Sequence, residues 1–117
     1  MFDPTAAQAV RRPEDDELMG YLVHDQSQWS ACTVFGYTLA TFATRPEARE
    51  YLLANGLAVL ADDWEFLDDD GEWYKCGLIE AKPDHITARI TDYGHPDVQK
   101  IFTIENPGSA SVRYRSR

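Results

Sequence analysis

Basic residues are nearly absent from one half of this chain. Residues 14–72 hold 14 acidic side chains against Arg45 and Arg49 alone, and the net charge over all 117 residues is −9. A field of that sign repels phosphate backbones, whose affinity for proteins comes largely from cationic neutralisation, so direct DNA or RNA binding is not expected. It favours a basic protein partner instead. Acidity kept only for solubility is the plainer explanation of the same numbers.

Cysteine is scarce too. Cys32 and Cys76 form no CxxC and have no Cys/His metal spacing, so each reads as a small buried hydrophobe. No apolar run reaches the roughly 18 residues of a membrane span, and no basic start or apolar h-region marks a signal peptide. A cytoplasmic protein without membrane association is the expectation. The chain has no G-x-S-x-G, P-loop or G-x-G-x-x-G, and His24, His85 and His95 show no ligand spacing. Each histidine reads as a turn or strand-end residue. A non-enzyme with no cofactor and no metal is expected.

The residues that are present outline an α+β fold. Residues 1–17 contain Pro4, Pro13 and the run Glu14-Asp15-Asp16-Glu17, and read as a flexible acidic tail ahead of one domain, 18–117. Residues 18–24 form a candidate first strand. In 29–42, Trp29, Cys32, Phe35, Leu39 and Phe42 recur at helical spacing. The β-branched and aromatic content together with Gly36 nevertheless favours two strands joined near Gly36-Tyr37. One helix is expected over about 45–55. Thr44 and Glu47 make a capping box, Pro46 suits the first turn, and Asn55-Gly56 supplies a left-handed stop. Its apolar face is Ala48, Leu52 and Tyr51. Beyond it, short strands end with the alternating stretches 85–93 and 111–115. The sum is a single antiparallel, meander-like sheet of six or seven strands with the helix on one face.

The densest feature is 62–72, with seven acids and no base. Asp69-Asp70-Gly71 is a three-residue loop with glycine where a type I turn plus G1 bulge needs a left-handed residue. That register pairs Asp68 with Glu72, Leu67 with Trp73, Phe66 with Tyr74, Glu65 with Lys75 and Trp64 with Cys76. Trp64, Phe66, Tyr74, Cys76 and Leu78 then share a core face. Leu67, Trp73 and Ile79 share the other, beside a Glu65–Lys75 ion pair. An EF-hand fails on spacing, because Gly71 at position 6 puts Phe66 at 1 and Gly77 at 12. A looser cation site among Asp68, Asp69, Asp70 and Glu72 is the remaining metal reading, and none is assigned.

Leu67, Trp73 and Ile79, with Asp68, Asp69, Asp70 and Glu72 as an acidic rim, have the anatomy of a protein-binding patch. The expectation is a small acidic interaction module, inhibitor-, immunity- or antitoxin-like, that modulates a basic protein as a monomer or homodimer. Against it stands burial of that face by residues 1–17 or by the C-terminal strand. A second reading is a ligand-binding or enzymatic domain whose pocket is lined by Trp29, Tyr37, Trp64 and Tyr74 with His24 or His85. DNA mimicry is a third, disfavoured because the acids cluster at a hairpin and in a tail.

Overall fold

A computed structural model describes residues 2–115. After a short 3-10 turn at Pro4–Ala6 come β1 (Gln8–Arg11), β2 (Leu18–Asp25), β3 (Gln28–Cys32), β4 (Thr38–Phe42) and α1 (Arg45–Asn55). A second 3-10 turn at Ala58–Ala61 leads into β5 (Asp63–Leu67), β6 (Trp73–Ala81), β7 (His85–Ile90), β8 (Ile101–Glu105) and β9 (Val112–Arg115). The class is α+β. The strands divide between two antiparallel sheets, ordered β1-β2-β3-β4 and β8-β7-β6-β5-β9, in place of the single sheet expected. α1 packs on the four-stranded sheet, chiefly against β2 and β3, and the chain begins a new sheet once it has left the helix.

The helix follows its local signals at one end and departs from them at the other. Thr44 Oγ1 accepts from the Glu47 N–H at 3.4 Å, the N-cap half of the expected capping box, while Glu47 Oε1 accepts the Thr44 hydroxyl at 2.8 Å in place of the Thr44 backbone N–H. Ala48 and Leu52 are fully buried against Val10, Met19, Leu22 and Ala31, and Tyr51 packs on Phe42. Gly56, however, stays right-handed at φ −57°. Glycine is required there for space, since a Cβ would sit 2.2 Å from the Met19 carbonyl oxygen. The expected left-handed stop is therefore replaced by a close backbone crossing of β2.

The segment read as a tail is also built into the fold. β1 pairs with β2, Val10 opposite Gly20, and Val10 is buried. The acidic run forms the β1–β2 connection. The Arg12 N–H donates to the Glu17 carbonyl, the Asp16 N–H to the Arg12 carbonyl, and the Arg12 guanidinium pairs with Asp15 at 2.7 Å. One arginine thus organises acids that would otherwise repel. A four-residue strand with one buried apolar side chain carries too little alternation to read locally.

Residues 29–42 do form two strands, and the turn between them links the sheets. Val34 and Phe35 enter the core of the five-stranded sheet with Trp64, Phe66, Cys76, Ile86, Ala88, Ile90 and Val112. The Phe35 and Tyr37 rings lie 5.4 and 5.1 Å from that of Trp64. Trp64 donates its indole N–H to the Val59 carbonyl, so its buried polar atom is satisfied. Both cysteines are buried free thiols, and burial pushes Cys76 up to about 12.

Candidate functional site

The β5–β6 hairpin takes the expected register, from Trp64 opposite Cys76 to Leu67 opposite Trp73. Asp68 and Glu72 close the loop through an N–H···O bond of 2.9 Å, and Gly71 takes φ +84°. Asp70 Oδ1 accepts the Glu72 N–H at 2.9 Å, the Asx-type bond that makes aspartate a turn residue.

Alternation along the strands sorts the side chains into two faces. The core face carries Trp64, Phe66, Tyr74 and Cys76. The outer face carries Leu67 at 41% exposure, Ile79 at 52%, and Ile101 of β8, also at 52%. Trp73 sits among them half-buried. Ile79 lies outward by alternation and is the extra, unpaired residue of a bulge between Leu78 and Glu80. Among the described residues neither predicted covering segment lies across this face as a strand, although the Arg113 side chain of the C-terminal strand covers Trp73. The N-terminal segment joins the other sheet, and β9 pairs edge to edge with β5.

β9 supplies what the sequence did not reveal. Arg113 lies opposite Glu65, and its guanidinium carbon is 4.3 Å from the Trp73 ring centroid. Glu65 accepts from Arg113 Nε at 2.5 Å and Arg115 Nη1 at 2.7 Å, so the expected Glu65–Lys75 ion pair gives way to a two-arginine clamp. Burial opposes ionisation of Glu65. The hydrogen bonds from both arginines and their charges outweigh it and hold the carboxyl below its ordinary range. The visible signal was the alternation of 111–115, which puts Arg113 and Arg115 on one face. Which strand lies beside them is a long-range fact.

The acids predicted as a rim do not surround Trp73. Asp68 Oδ2 is 2.9 Å from His95 Nε2, while His95 Nδ1 accepts the Asp97 N–H at 2.9 Å. That second bond places the proton on Nε2, so the imidazole donates to Asp68. His95 is buried edge-on against Tyr74, with ring centroids 4.6 Å apart. Tyr74 donates its hydroxyl to Asp70 Oδ2 at 2.6 Å, which lowers the Asp70 pKa and raises Tyr74 to about 12. Asp68 and Asp70 are therefore engaged on the core side of the hairpin. Asp69 and Glu72 stand exposed at its tip. Among the described residues, no group of three His, Cys, Asp or Glu is placed to hold a metal ion.

The residues named for a ligand pocket are scattered. Trp29 stacks on His24 at 4.2 Å on the four-stranded sheet, whereas Tyr37 and Trp64 are packed together in the other core. His85 bonds to Asp84 at 2.8 Å at the start of β7, which raises its pKa. One cleft of about 300 Å³ borders the hairpin, with residues 66–69 on one wall, 102–104 on the other, and Ser111 between them. It exists because the five-stranded sheet curls. The Phe66 and Phe102 rings come within 4.7 Å although β6 and β7 lie between their strands.

No family model, curated protein or solved structure matches this chain. Among the described residues, no helix is long and apolar enough to cross a membrane.

Proposed function

We propose that this protein is a non-enzymatic interaction module that binds and modulates a basic protein partner, in the manner of small inhibitors, immunity proteins or antitoxins. The observation that carries the reading is the bare outer face of the five-stranded sheet. Leu67 stands half-exposed opposite Trp73 of the Trp73–Arg113 stack, and Ile79 and Ile101 are exposed further along the same face. Exposed apolar side chains on a sheet face with an aromatic anchor and charged surroundings suit a binding patch. The net charge of −9 favours a basic partner at long range, while Lys75, Arg113 and Arg115 lie on the same face as Trp73 itself.

The test is affinity capture from the native host with wild-type and Trp73→Ala proteins of matched secondary structure. The reading predicts that a basic protein recovered with the wild type is lost with the variant. Equal recovery on both would remove the outer face from the account.

A further inference from the structure

The free edge of β8 opens directly into the cleft beside the hairpin. The Ile90 N–H bonds to the Lys100 carbonyl at 2.9 Å, and the Asn106 N–H to the Asp84 carbonyl at 2.7 Å. Bonded and non-bonded pairs alternate in an antiparallel ladder, so these two bonds fix the phase between β7 and β8. Ala88–Phe102 and Ile86–Ile104 are bonded pairs. The backbone N–H and C=O groups of Ile101, Thr103 and Glu105 consequently point away from β7, on the side where β8 has no strand neighbour among the described residues. Edge strands are commonly protected by lysine, proline or a bulge. Within β8, Glu105 is the only charge and there is no proline.

We propose that this edge and cleft accept an extended basic segment of a protein partner, which adds to β8 as a sixth strand and sends a lysine or arginine towards Asp69 and Asp68. Main-chain pairing would supply affinity and the cleft selectivity, as in other strand-addition complexes. Phe66, Phe102 and Ile104 give the cleft an apolar lining, and its volume of about 300 Å³ suits one or two side chains. Its charge comes from the hairpin tip. The Asp69 side chain makes no hydrogen bond or ion pair within the described residues, and the Asp68 carboxylate there meets only the His95 N–H. A second copy of this chain is the wrong complement, because it would bring another net charge of −9 to the same edge. The inference rests on the reading of the protein as a module for a basic partner, and adds a second contact region around the hairpin from the Trp73 face.

The experiment uses the full chain labelled with ¹⁵N and two blocked heptapeptides, Val-Thr-Val-Lys-Val-Thr-Val and its central-glutamate counterpart. With the lysine peptide at about 1 mM, a level that detects weak binding, the amides of Ile101, Thr103 and Glu105 should shift and exchange more slowly. Asp69→Asn should weaken the lysine peptide about two- to fivefold, the scale of an exposed ion pair. Thr103→Pro should abolish binding while leaving the β7–β8 ladder intact, because the N–H it removes faces outward. If that variant does not fold, amide exchange in the unaltered protein still decides. No change at β8, equal binding of the glutamate peptide, or peptide-free dimerisation through β8 overturns the inference. A peptide failure would leave capture by the outer face standing, and insensitivity of capture to Trp73→Ala would leave the peptide result standing.

Discussion

Arg113 covers the ring of Trp73 at 4.3 Å while its Nε binds Glu65, so one arginine from the last strand joins the aromatic anchor to the buried carboxylate. A cation over an indole contributes about 0.5–1 kcal/mol at an exposed site. A double-mutant cycle on Arg113→Ala and Trp73→Ala, read by denaturant unfolding, should return a coupling of that size. Strict additivity would mean that the stack carries no energy.

Glu65 should make the fold sensitive to acid. Its folded pKa lies below the ordinary 4.5, so its contribution is present above the unfolded value and is lost as pH falls through the folded one. Glu65→Gln should cost about 1–2 kcal/mol at neutral pH, allowing for the half-exposed arginines. The gap to wild type should shrink as pH drops below that range. Melting curves across pH check the sign, and a constant gap would contradict it.

The two glycines flanking these elements should respond differently. Gly56→Ala places a Cβ 2.2 Å from the Met19 oxygen, between rigid backbones, and should destabilise by more than about 2 kcal/mol. Gly71→Ala meets nothing within 4 Å and should cost about 1–2 kcal/mol, from φ +84° alone. Urea midpoints of both variants test the ranking.

Asp70 controls Tyr74. Asp70→Asn removes the carboxylate whose hydrogen bond, and then charge, holds the phenol up, so the Tyr74 pKa should fall from about 12 towards the ordinary 10. NMR titration of the tyrosine ring signals reads this directly. An unmoved titration would mean that the 2.6 Å bond is not what raises it.

What the sequence revealed about this fold was what depends on neighbours along the chain. The hairpin register follows from Asp69-Asp70-Gly71 and period-two alternation, and the start of α1 follows from Thr44, Pro46 and Glu47. Long-range choices were hidden. Nothing near Val10 shows that it pairs with Gly20, and nothing near Glu65 shows that β9 replaces Lys75 as its ion partner. His95 lies in a loop, as its sequence suggests, but its burial and its bond to Asp68, 27 positions away, were hidden. For the candidate site, Leu67, Trp73 and Ile79 were legible as one face. The acids were misplaced around it: alternation itself puts Asp68 and Glu72 on the opposite face from Leu67 and Trp73, and it does not show that Asp68 and Asp70 are held by His95 and Tyr74.

The most direct test of the central claim is hydroxyl-radical footprinting of the free protein against its captured complex. Two half-buried tryptophans on different sheets, Trp73 and Trp29, serve as probe and control. The account predicts that the partner protects Trp73, Leu67, Ile79 and Ile101 and leaves Trp29 unchanged. Protection of Trp29 with Trp73 still fully reactive would contradict it.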